Sequence, residues 1–81
     1  MDTTTIRQHL ALAERHVREG QQRVARQLRL MEELERDGHD IASARDLLHQ
    51  FEMLQATFVA DRDRVRGELV QAEHREGSNK R

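Results

Sequence analysis

The side chains best suited to chemistry in this chain are its histidines. Cysteine is absent, and no glycine-rich phosphate loop or activated serine can be derived from the order of residues. His9 and His16 lie seven positions apart, so in a helix they share one face two turns from each other. That spacing is too long for both to hold one metal ion, for which i, i+3 or i, i+4 is the usual arrangement. A site built on them would need oxygen ligands from elsewhere in the chain, and Asp61, Asp63 and Glu68 are the candidates. The weak metal set is therefore His9, His16, Asp61 and Glu68. The plainer reading is that both histidines form hydrogen bonds to carboxylates at the rim of a helix pair. His39 sits in a turn-like tetrapeptide, and His49 falls on an outer face near Glu52 and Met53.

Arginines form two groups, Arg23, Arg26, Arg29 and Arg62, Arg64, Arg66. A basic helical stripe can bind nucleic acid. Here Glu32, Glu33, Asp61 and Asp63 dilute both groups, and phenylalanine, present twice, is the only aromatic available for base stacking. Lys plus Arg number 14 against 15 Asp plus Glu, so no general polyanion binder is expected. Neither an enzyme nor a cofactor is expected, because a chain this small offers no obvious place to exclude water.

The elements that carry these residues are legible from composition and period. The chain has 81 residues, 36% apolar and 36% charged, with no proline and four glycines. Straight-chain residues that lose little rotamer freedom in a helix dominate it. From Ile6, apolar residues recur at alternating steps of four and three. Leu10, Val17, Val24 and Met31 take heptad position a, and Ile6, Ala13 and Leu34 take d, with Gly20 and Gln27 filling the two remaining d positions. Thr5 with Gln8 reads as a capping box. The pattern breaks at Asp37-Gly38-His39-Asp40, where Gly38 suits a left-handed C′ and Asp40 an N-cap. It resumes as Ile41, Ala44, Leu48, Phe51, Gln55, Phe58, Arg62, Val65, Leu69 and Ala72.

The expected fold is all-α: an antiparallel, coiled-coil-like two-helix hairpin over residues 1–76. Helix one spans about 5–37, the turn 38–40 and helix two about 41–76, with 77–81 as a disordered tail. Its expected length is ~45–55 Å at 1.5 Å per residue. Folding at Gly38 matches residues whose numbers sum to about 78–80. One flank, formed by the e positions, then pairs Glu14 with Arg66 and Glu35 with Arg45. The other, formed by the g positions, pairs His9 with Glu68, His16 with Asp61 and Leu30 with Leu47. The same register sets Gly20 opposite Phe58 and brings Gln27 near Phe51 and Gln55, so that a Gln–Gln hydrogen bond could fix it.

Leu12, Leu28, Leu30, Leu47, Leu54 and Val59 remain outside a two-helix contact and form the expected interface. A second hairpin would cover them, giving a homodimeric four-helix bundle. No apolar run approaches the ~20 residues of a membrane span. The acidic, polar start at Met1-Asp2-Thr3-Thr4-Thr5 does not read as a signal peptide, and the cytoplasm is the expected location.

The segments His9-Leu10-Ala11-Leu12-Ala13-Glu14-Arg15-His16-Val17-Arg18-Glu19-Gly20 and Leu34-Glu35-Arg36-Asp37-Gly38-His39-Asp40 resemble those of short bacterial helical-hairpin proteins without an established activity. The likeness spans most of residues 9–66, including Asp61-Arg62-Asp63-Arg64, and implies a bacterial, mostly helical protein with no catalytic residues to carry across. The expected role is a small self-associating structural or protein-interaction module with an unknown protein partner. The alternatives are a metal or ligand sensor using His9, His16 and the facing carboxylates, and a small nucleic-acid-associated regulator.

Overall fold

Asp2 starts the first helix. Its extended backbone and its carboxylate, whose Oδ1 accepts the Thr5 backbone N–H at 2.9 Å, make it the N-cap of α1, Thr3–Arg36. The helix thus begins two residues before the expected Thr5 cap. A carboxylate serves the exposed N–H groups and the positive helix end better than a hydroxyl does, so the three threonines are drawn into the first turn. The computed structural model describes residues 2–79; Met1, Lys80 and Arg81 lie outside the described residues.

Gly38 ends α1 as expected. It has φ +80°, and its N–H donates to Glu35 O at 3.1 Å while the His39 N–H donates to Leu34 O at 2.8 Å. These two bonds form a Schellman motif, which satisfies carbonyls the helix would otherwise leave open. The chain then reverses into α2, Ala42–Asn79. Here the expected N-cap shifts by one residue. Ile41 O accepts the first helical bond, from Arg45 N–H at 2.8 Å, so Ile41 is the cap. Asp40 stands just outside and accepts the Ala42 N–H at 3.0 Å through Oδ1. That bond does a cap's task from one residue earlier, as an Asx turn.

The far end departs from the expected tail over residues 77–79, the tail's last two residues, Lys80 and Arg81, being outside the described residues. α2 continues through Gly77 and Ser78 to Asn79, because no proline stops it and Gly77 keeps helical dihedrals; Gly38 is the only described glycine with positive φ. The hairpin measures 68 × 14 × 13 Å, longer than expected because α2 alone has 38 residues.

Every expected seam position is buried or half-buried, which places the a and d rows of both helices against each other. The best-closed part lies toward the open end, where Ile6, Val65 and Ala72 cluster with Leu10 and Leu69. Small residues dominate the remainder, with Ala13, Gly20 and Ala44 buried. No described side chain falls below 2% exposure, because two helices in contact enclose no interior.

Two glutamines bridge the seam. Gln27 Nε2 donates to Ala44 O, and Gln55 Nε2 donates to Val17 O, each at 2.9 Å. The expected Gln–Gln bond is therefore not made. A helical carbonyl has a second lone pair free after serving its own helix, and each amide uses one on the opposite helix. Gln55 fills the space beside Gly20: a Cβ there would stand 1.7 Å from Gln55 Oε1. The missing side chain admits the amide.

Candidate functional site

The e and g flanks differ in chemistry. On the e flank, Arg66 Nη2 approaches Glu14 Oε2 at 3.7 Å, as the register required, and Arg7 Nη2 meets Glu73 Oε2 at 2.9 Å. Reading the sequence did not single out that second pair, although Arg7 and Glu73 continue the same heptad rows as Glu14 and Arg66. The other expected e-flank pair, Glu35 with Arg45, forms no ion pair among the described residues. Between the charges lies a shallow groove of about 410 Å³ lined by Gln21, Val24, Ala25, Leu28, Glu52 and Gln55.

On the g flank, His9, His16 and Asp61 do converge. With Leu12, Ala13, Arg64 and Val65 they line a concavity of about 230 Å³. The expected histidine–carboxylate bonds are not made. Arg64 lies between Asp61 and Glu68 on α2 and donates to both, at 2.7 and 2.6 Å. The Asp61 hydrogen bond, followed by the charges of Glu68 and Asp61, holds the guanidinium protonated to still higher pH than usual. Partners three and four residues away on one helix need less ordering than partners on two helices, so the arginine takes the carboxylates from the histidines. His16 instead stacks on Phe58, ring centroids 5.1 Å apart. Arg23 lies 5.7 Å over the Phe51 ring on the same flank, a cation–π contact.

Among the described residues no three His, Cys, Asp or Glu side chains are grouped to hold a metal ion. The metal candidates are thus near one another without forming a ligand set, and Arg64 supplies the positive charge at the carboxylates. The second arginine group is similarly committed: Arg62 pairs with Asp63, Arg64 with Asp61 and Glu68, and Arg66 with Glu14. Such a stripe presents a balanced face, which weakens its appeal to phosphates.

The expected interface residues divide between the two flanks. Leu12, Leu30, Leu47 and Leu54 follow the g side, exposed by 51%, 46%, 39% and 42%. Leu28 is exposed on the e side, and Val59, seven residues before Arg66 on the same row, is half-buried between the helices. Val59 is therefore less exposed than the five leucines. Met53 and Val70 are exposed apolar residues the sequence did not single out; neither belongs to the a/d repeat that organised the reading. No helix among the described residues is long and apolar enough to cross a membrane. No family model, curated protein or solved structure matches this chain.

Proposed function

We propose that the protein is a self-associating helical-hairpin module of the bacterial cytoplasm whose role is structural or protein-binding and not catalytic. One observation carries the reading. The hairpin exposes 6178 Å², whereas a compact monomer of 9.5 kDa exposes about 5,000 Å². The excess, roughly 1,200 Å², exceeds the ~800 Å² that each partner contributes to a standard stable interface. Five leucines, with Met53 and Val70, are among the exposed side chains, and covering them contributes about 25 cal/mol per Å² of apolar surface removed from water. A homodimeric four-helix bundle closes this surface with the same heptad packing that holds the hairpin together.

Sedimentation equilibrium over a hundredfold concentration range is the test. The expected mass is twice the 9.5 kDa chain mass, and a single species at the chain mass throughout would remove the reading.

A further inference from the structure

We propose that the second copy docks along the g flank with both turns at the same end, so that a two-fold axis runs parallel to the hairpin. This rests on the self-association reading and specifies its geometry.

Two observations select the flank. Four exposed leucines line it, against Leu28 alone on the e flank. Toward the open end the e flank has also closed two charge pairs internally, Arg7–Glu73 and Glu14–Arg66, and covering those pairs would strip their water with no new partner in return. On the g flank Arg64 closes on Asp61 and Glu68, but the two histidines beside them are left over. His9 and His16 have no carboxylate bond within the hairpin. Asp61 and Glu68 each give Arg64 one oxygen, and a carboxylate has further lone pairs to offer.

The direction follows from how polarity is distributed along this flank. Leu30, Leu47 and Leu54 occupy its turn-proximal half with Arg23, which lies over Phe51, while His9, His16, Asp61 and Glu68 occupy the half toward the open ends with Leu12 among them. With the turns together, α1 of one hairpin lies antiparallel beside α2 of the other at equal height. Leu30 then meets Leu47 of the second copy, His16 meets its Asp61, and His9 meets its Glu68. The Leu30–Leu47 layer covers its counterpart, Leu54 lies beside Arg23 of the second copy, and each histidine faces a carboxylate. With the turns at opposite ends, the Leu30–Leu47 layer would cover the His9–Glu68 layer, burying polar groups against leucine. The first arrangement therefore matches leucine with leucine next to the turn and histidine with carboxylate toward the open ends.

The experiment has two arms on the full chain. In the first, sedimentation compares the wild type with the Leu47→Glu/Leu54→Glu double variant and with Leu28→Glu. The dimer dissociation constant should rise at least a hundredfold in the double variant and less than threefold in Leu28→Glu, with helical circular dichroism unchanged in both. In the second, His39→Cys supplies the single thiol of the chain, and pulsed dipolar spectroscopy of its spin-labelled dimer reads the turn-to-turn distance. Same-end docking gives at most about 35 Å, the width of a bundle plus its labels; opposite ends would place the labels near the 68 Å long axis. A dimer weakened by Leu28→Glu and not by the double variant overturns the flank and leaves self-association standing. A long spin distance overturns the direction. A wild type that never dimerises removes the self-association reading itself. Should the double variant lose its helix, the spin distance still decides the direction, and a Leu12→Glu variant repeats the flank test at a more exposed position.

Discussion

Replacing Gly20 by alanine tests the packing at the centre of the hairpin. The new Cβ would stand 1.7 Å from Gln55 Oε1 and 2.7 Å from its Cδ, so the amide must leave the seam. Four contributions decide the outcome. Alanine gains about 1 kcal/mol over glycine in a helix interior. Buried Oε1 has no hydrogen-bond partner in the seam, and reaching water returns about 1 kcal/mol. Against these, the 2.9 Å bond to Val17 O is lost, at about 1 kcal/mol. The two methylenes of Gln55 also leave the interface, at about 0.8 kcal/mol each. The net expectation is a destabilisation of about 0.5 kcal/mol, where glycine-to-alanine in an unobstructed helix would stabilise by about 1 kcal/mol. Repeating the substitution in a Gln55→Ala background removes the obstruction and should restore that gain, so the two positions should be coupled by about 1–2 kcal/mol. Urea unfolding followed at 222 nm, at one fixed protein concentration because association contributes to stability, closes the double-mutant cycle. An additive cycle, with Gly20→Ala stabilising in both backgrounds, would show that Gln55 does not occupy the notch.

Three further outcomes follow from the same packing. Ile6→Ala, at the best-buried cluster, should cost about 2–3 kcal/mol, whereas Val70→Ala on the exposed side should change stability by less than about 0.5 kcal/mol; thermal melts of both variants check the contrast. Gln27→Leu should hold or raise the melting temperature, since the Ala44 carbonyl keeps its helical partner, while relaxing the helix register; disulfide trapping between cysteine pairs placed at neighbouring registers would detect the slippage, and a single register in the variant would contradict the assignment. The Thr5 backbone N–H is the main cause that holds the Asp2 carboxyl below its ordinary 3.8. A lowered folded-state value means its capping contribution is complete above that ordinary value and lost as pH falls through the lower one, so wild type and Asp2→Ala should differ in first-turn helicity at neutral pH and converge in acid, as amide chemical shifts of Thr3 to Thr5 will show.

The sequence by itself determined the helices, the reversal and the faces that meet. Each depends on a local rule. The four-three recurrence assigns the buried stripe, lack of proline lets each helix run, and Gly38 can enter a backbone region that a side chain resists. The register also followed far enough to predict Glu14 with Arg66, because two stripes joined by a short turn have little freedom to slide.

Tertiary structure decided what each side chain touches within that register. Knobs in a helix pair enter holes between opposing layers instead of meeting one opposite residue. Gly20 therefore receives Gln55, and the glutamines find carbonyls that residue types alone do not advertise. At Asp61 and Glu68 a local partner competes with distant ones, and Arg64 wins because it is already anchored on the same helix. The same competition leaves His9 and His16 beside carboxylates without bonding them, an outcome set by side-chain geometry and not by spacing along the chain.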